Sequence, residues 1–86
     1  MYPAGVEVVD SSLAVHVLVE LDEAGDDGCF AAALGHAVGK SGAQVGACLR
    51  ELRCRGLAVS TPVSPASTRV RWYITDAGRA FLDESA

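Results

Sequence analysis

The chain has 86 residues, half of them apolar and few aromatic, with a net charge of −4. That is enough for one small domain with a core of small side chains, and too apolar for intrinsic disorder. No apolar run approaches the roughly 20 residues of a membrane-spanning helix, which argues against a membrane span.

Residues 1–10, MYPAGVEVVD, read as an N-terminal leader or dimer arm. Tyr2-Pro3 and Gly5 resist regular structure, and Val6, Val8 and Val9 suit a short extended piece or a first dimer contact. The leader has no basic n-region or apolar h-region, so it does not read as a secretory signal, and a cytoplasmic location is expected. Residues 11–86 are read as one domain. Asp10-Ser11-Ser12 supplies N-cap residues for a first helix over Ser12 to Ala24. Leu13, His16, Val17 and Leu21 are expected on its inner face, with Ala14 and Ala24 beside them. Val15, Val17 and Val19 leave a strand as the alternative, but length and flanking signals favour a helix.

Gly25-Asp26-Asp27-Gly28 is a loop. Cys29-Phe30 follows as a minimal strand or bridge, with Phe30 expected as a core anchor. Ala31 to Val38 forms the second helix, with Ala31, Leu34 and Val38 inward and His36 as a surface or core-edge histidine. Gly35 inside that helix costs up to about 1 kcal/mol relative to Ala, tolerable where close packing demands a small residue.

Gly39 to Gly42 makes a tight turn, and Ser41 caps a third helix that runs to Arg55. Val45, Cys48, Leu49 and Leu52 stand at i, i+3, i+4 and i+7, the spacing of one buried helical face. Gly56 stands where a helix ends in a left-handed residue. Two short helices around so brief a turn form a helix-turn-helix, with Ser41 to Arg55 as its recognition helix. The exposed face of that helix shows Gly42, Ala43, Gln44, Gly46, Ala47 and Arg50. Arg53 and Arg55 come near its C-terminus, where they also complement the helix dipole.

Leu57 to Thr61 reads as a strand, Pro62 to Thr68 as a polar, proline-interrupted loop, and Arg69 to Thr75 as a second strand. Val70, Trp72 and Ile74 alternate with Arg69, Arg71 and Tyr73, so the pair makes a β-hairpin. Asp76 to Glu84 closes the chain as a helix capped by Thr75 or Asp76, with Ala77, Ala80, Phe81 and Leu82 supplying apolar surface.

The charges are unevenly distributed. Residues 1–39 contain Glu7, Asp10, Glu20, Asp22, Glu23, Asp26 and Asp27 and no Lys or Arg, a net −7. Residues 40–86 carry all seven cations against Glu51, Asp76, Asp83 and Glu84, a net +3. A cationic half beginning at the turn is the expected electrostatic footprint of a polyanion-facing surface.

At this point the residues resemble a family. Leu34-Gly35-His36-Ala37-Val38-Gly39-Lys40-Ser41 looks like the helix-turn-helix pattern of winged-helix bacterial regulators, an apolar-small pair followed by an apolar-Gly turn and a Ser. Val45, Leu49 and Leu52 fall at its core positions, and Gly56-Leu57 where the wing begins. Arg71 to Ala80, RWYITDAGRA, resembles the segment that ends the wing in the MarR and PadR groups. The resemblance covers about residues 11–84. It implies an α+β winged helix-turn-helix: a three-helix core, a two- to three-stranded β-wing and a C-terminal helix.

The function so implied is that of a DNA-binding transcriptional regulator acting as a homodimer. The recognition helix would enter the major groove of double-stranded DNA while the wing meets the flanking backbone. The expected DNA-binding residues are Lys40, Ser41, Ala43, Gln44, Ala47, Arg50, Arg69 and Arg71. Gln44 suits adenine, Lys40 and Ser41 suit phosphate or base edges, and Arg50, Arg69 and Arg71 suit phosphate. The helix face is rich in Gly and Ala and the wing tip has no cation. Two-fold repetition in a dimer is therefore the expected route to affinity.

The alternative is a winged-helix module for protein–protein interaction, using the small apolar face of the third helix or the acidic first helix. A continuous positive face favours DNA; one interrupted by carboxylates favours the interaction module.

Other chemistries find no support in the pattern. Cys29, Cys48 and Cys54 are an odd number at irregular spacing, unlike a disulfide framework or, with His36, a zinc site. Cys48 reads as a small hydrophobe; Cys29 or Cys54 beside an arginine would be a redox-sensing thiol only if exposed, and an inert thiol is the expectation. No glycine-rich phosphate loop follows a strand, and no nucleophile–base pair emerges, so neither a cofactor nor an enzymatic activity is expected.

Overall fold

The computed structural model describes residues 11–85. The leader or dimer arm expected over residues 1–10 lies outside the described residues. Helix α1 spans Ser11–Ala24 and ends in a 3-10 turn, Gly25–Asp27. Helices α2 (Ala31–Val38) and α3 (Gly42–Cys54) follow, then strands β1 (Ala58–Pro62) and β2 (Val70–Ile74), and helix α4 (Asp76–Ser85). The order is the one expected, with strand bounds displaced by about a residue.

Helix α1 buries Leu13, Ala14, Val17, Leu18 and Leu21. These lie within one wedge at about 100° per residue. His16 points away from that wedge and is exposed, so its expected inward placement is corrected. Leu18, absent from the expected face, is fully buried.

Cys29 forms an isolated antiparallel bridge with Trp72, a third, one-residue strand at the open edge of β2. Both amides are used: Cys29 N–H donates to the Trp72 carbonyl at 2.9 Å and Trp72 N–H to the Cys29 carbonyl at 2.7 Å. Phe30 is not the core anchor expected of it. It is half-buried and stands outside the core cluster.

Helix α2 turns its Leu34 into the core, with Ala31 and Val38 packed at the margin. Gly35 is buried, and a Cβ there would stand 3.0 Å from the Lys40 carbonyl oxygen and 3.9 Å from Val45 Cγ2. The close neighbour is thus the chain doubling back at the turn. Gly39 takes the left-handed conformation (φ 71°) that lets Lys40 N–H reach the Gly35 carbonyl at 3.0 Å.

Helix α3 buries Val45, Cys48, Leu49 and Leu52, the four stripe residues. Past its last turn Gly56 is left-handed (φ 76°). Gly56 N–H donates to Arg53 O and Leu57 N–H to Leu52 O, the paired bonds of a Schellman ending.

Strands β1 and β2 pair antiparallel, with Ala58 opposite Ile74, Ser60 opposite Trp72 and Pro62 opposite Val70. Ala58, Trp72 and Ile74 face the helices and are buried. Val59, Thr61, Arg71 and Tyr73 share the other face.

Thr75 joins the end of the sheet to the end of α3. Its hydroxyl donates to Gly56 O at 2.7 Å and accepts from Gly78 N–H at 3.0 Å, capping α4. Phe81 and Leu82 pack against the core margin, whereas Ala77 and Ala80 are exposed and do not supply the packing surface expected of them. Gly78 takes that place instead. It is buried against the Leu57 carbonyl, with Ile74 Cγ1 2.6 Å from where a Cβ would stand.

Candidate nucleic-acid interface

The start of α3 is held by a reciprocal cap. Ser41 Oγ accepts from Gln44 N–H at 3.2 Å, and Gln44 Oε1 accepts from Ser41 N–H at 3.1 Å. This capping box satisfies two donors at the helix start that would otherwise lack partners. It also uses the oxygen of Gln44. Bidentate pairing with adenine needs both amide atoms, so Gln44 in this conformation offers only its Nε2 hydrogens outward.

Along the outer side of α3, Gly42, Ala43, Gln44 and Arg50 are exposed, and Gly46 and Ala47 are half-buried. The Arg50 guanidinium folds back over Gly46, with Nη1 3.4 Å from the position a Cβ would take. Lys40 lies just before the helix on a shallow hollow of about 280 Å³, lined also by Ala32, Gly35, His36 and Gly42.

At the C-terminal end of α3, Arg53 donates to Ser60 Oγ on β1 at 3.1 Å, and its guanidinium carbon lies 5.3 Å from the Trp72 ring centre. Arg53 therefore links the helix to the sheet. Arg55 turns back to Glu51 at 2.7 Å, an i,i+4 ion pair on the same helix.

On the wing, Arg69 and Arg71 are exposed, as their alternation with Val70 and Trp72 requires. Both guanidinium groups lie over the Phe30 ring, at 4.2 Å and 5.3 Å from its centre. Arg71 also donates to the Asp27 carbonyl at 3.4 Å. Arg79 on α4 is paired with Asp22 at 3.0 Å and with Asp76 at 3.4 Å.

The cations thus fall into two sets. Arg55 and Arg79 are neutralised by carboxylates. Lys40, Arg50, Arg53, Arg69 and Arg71 have no carboxylate at ion-pair distance among the described residues. All five belong to the turn, α3 or β2 and its approach. From residue 40 to residue 75 the chain holds six cations and one carboxylate, Glu51. That carboxylate is held by Arg55, so no unpaired acid lies in the segment that builds α3 and the wing.

Two residues of this region were assigned other roles by their position in sequence. Arg53 falls three residues after Arg50 on the same helical side, a spacing that already signalled a shared surface. Phe30 carried no such signal, because its relation to the wing arginines depends on the Cys29–Trp72 bridge.

The cysteines are separated by environment. Cys48 is buried in the α3 stripe and Cys54 is exposed. Cys29 is half-buried, and burial first, then the negative charge of Glu20, push its thiol above the ordinary value. That is the opposite of the shift that makes a thiol reactive. Among the described residues no three His, Cys, Asp or Glu side chains are grouped to hold a metal.

Two helices around a tight turn, the second of them capped, with a hairpin beside it define a winged helix-turn-helix. Solved structures of MarR-family regulators share this fold. The structure of S. aureus MepR in complex with DNA superposes with a TM-score of 0.79 at 19% identity, over 90% of this chain and 61% of that one. A mutant of Lactococcus lactis ZitR gives 0.74 at 21% identity over 99% of this chain and 55% of that one. A MarR family transcription regulator gives 0.75 at 19% identity over 91% and 50%. The chain therefore spans about half to three-fifths of the length of these proteins. No protein-family model and no curated protein matches the chain.

Proposed function

We propose that the protein is a DNA-binding transcriptional regulator that acts as a homodimer. Helix α3 occupies the major groove and the wing holds the flanking backbone. Lys40, Ser41, Ala43, Gln44, Ala47 and Arg50 face the groove and its phosphates; Arg69 and Arg71 meet the backbone outside it. The observation that carries this reading is the sorting of the cations. Of the six cations around α3 and the wing, five have no carboxylate partner among the described residues, while Arg55 at the end of α3 and Arg79 on α4 are paired. A charge left unpaired on an exposed surface is available to phosphate, and releasing counterions from DNA is what makes such contacts favourable. The DNA complex formed by MepR, which shares the fold, supports the same reading. The protein-interaction alternative would be favoured by carboxylates interrupting the positive face: Glu51 is held by Arg55, whereas the exposed Asp27, whose carbonyl accepts from Arg71, stands beside the wing arginines.

The dimer is supported by the sparse chemistry of the helix face. Gly42 and Ala43 carry no side-chain donors, and the amide oxygen of Gln44 serves the cap. Two copies on a palindromic site double the phosphate contacts without new residues.

The test is selection of duplexes from a random pool at low salt, with the native mass of the free protein measured alongside. Enrichment of a two-fold symmetric site by a particle of twice the chain mass is expected. A protein with no affinity for any duplex at low salt is not a DNA-binding regulator.

A further inference from the structure

Phe30 is poorly explained as a structural residue. It occupies the N-cap of α2 in extended conformation, where Ser, Thr, Asp or Asn would cap the helix, and it makes no side-chain cap. It is an aromatic side chain left half-exposed and outside the core. Its one distinctive environment is the pair of guanidinium groups above its ring, Arg69 at 4.2 Å and Arg71 at 5.3 Å.

The backbone explains how these groups meet. The Cys29–Trp72 bridge lays residues 28–30 along the free edge of β2. Antiparallel register then sets Phe30 beside Arg71 and Gly28 beside Tyr73 on the outer face. Gly28 combines a positive φ (69°) with an extended ψ (−179°), and a Cβ there would stand 2.7 Å from Tyr73 Cε1, so only glycine lets this edge lie flat against the wing. Arg69 is fixed in the main chain as well: its N–H donates to Ser67 Oγ at 3.0 Å and its carbonyl accepts from Val63 N–H at 3.0 Å.

We propose that Phe30 is a positioning residue for DNA binding, a π platform that holds the Arg69 and Arg71 guanidinium groups together for the phosphates beside the recognition site. This rests on the DNA-binding reading above. The chemistry suits the task. A carboxylate placed at Phe30 would order the two arginines but cancel half of their charge. An aromatic face attracts the flat of a guanidinium and leaves the charge and the rim of N–H donors available to phosphate oxygens. Because Phe30 also starts α2, the platform ties the wing to the helix-turn-helix.

Phe30→Leu keeps apolar bulk and removes the ring; Phe30→Asn removes the ring and supplies a cap, so it preserves the fold by a different route. Each is compared with wild type by side-chain NMR and by duplex binding, alone and in an Arg69→Ala/Arg71→Ala background. In wild type the Arg69 and Arg71 side-chain protons are shifted upfield by the ring current, and both variants lose the shift. Duplex binding weakens about threefold to tenfold in both, the size of one or two exposed cation–π contacts. In the arginine-free background the same substitutions have no further effect. Absence of the wild-type ring-current shift, or equal weakening with and without the arginines, overturns the proposal. A wild-type protein that binds no duplex refutes the DNA reading itself, while the proton shifts still decide whether Phe30 holds the two guanidiniums.

Discussion

Removing two cations from this protein should have very different consequences depending on which two are removed. Arg69→Gln/Arg71→Gln and Arg55→Gln/Arg79→Gln each lower the charge of a protomer by the same amount. The first pair takes cations that lie over Phe30 and have no carboxylate partner among the described residues; the second takes cations already neutralised by Glu51, Asp22 and Asp76. If all five of Lys40, Arg50, Arg53, Arg69 and Arg71 engage phosphate in both halves of a dimer, log K falls with log salt at a slope of about −9. Loss of Arg69 and Arg71 removes four contacts per dimer and brings the slope to about −5, whereas loss of Arg55 and Arg79 leaves it within about one of wild type. Fluorescence anisotropy on one labelled duplex over a salt series measures the three slopes. Equal slopes for the two double variants would mean that only net charge matters, and would refute the assignment of separate roles to the two sets.

Further outcomes follow from local geometry. Gly46→Ala should stabilise by up to about 1 kcal/mol, because it replaces a mid-helix glycine and meets only the mobile end of Arg50. Gly78→Ala should destabilise by about 1–3 kcal/mol, since the new methyl runs into the Leu57 carbonyl and Ile74. A thermal midpoint unchanged or raised in Gly78→Ala would contradict the close approach of α4 to the hairpin. Ser41→Ala should cost about 1 kcal/mol, seen as a midpoint lowered by about 4–8 °C, while Gln44→Glu keeps a capping box and changes stability by less than about 0.5 kcal/mol. Under iodoacetamide near neutral pH, Cys54 should react well before Cys29, and Glu20→Gln should speed Cys29 by removing the charge that helps hold its proton. Because the fold favours protonated Cys29, its contribution to stability is present below the ordinary thiol range and declines as pH rises through the raised value. Peptide mapping that finds Cys29 as fast as Cys54 would contradict its burial.

The helix-turn-helix was legible in the chain because its determinants are local. The α3 stripe follows from 3.6-residue periodicity, and Ser41, Gln44, Gly39 and Gly56 act on backbone within a few positions of themselves. The alternation of Val70, Trp72 and Ile74 likewise sorted the wing into an inner and an outer face. Tertiary structure alone decided the rest, because those contacts join residues distant in sequence. An exception is His16: expected inward, it is exposed, and the periodicity of α1 already sets it apart from Leu13, Val17, Leu18 and Leu21. Gly78 displaced Ala77 and Ala80 from the packing surface because the Leu57 carbonyl leaves no room for a methyl there. Phe30 left the expected core for the wing because one bridge, Cys29 to Trp72, sets it beside arginines about forty positions away. The sequence by itself determined where the cations are and that they cluster after the turn; only the folded chain determined which of them are paired with carboxylates, since ion pairing depends on distances of a few ångströms that no linear pattern contains.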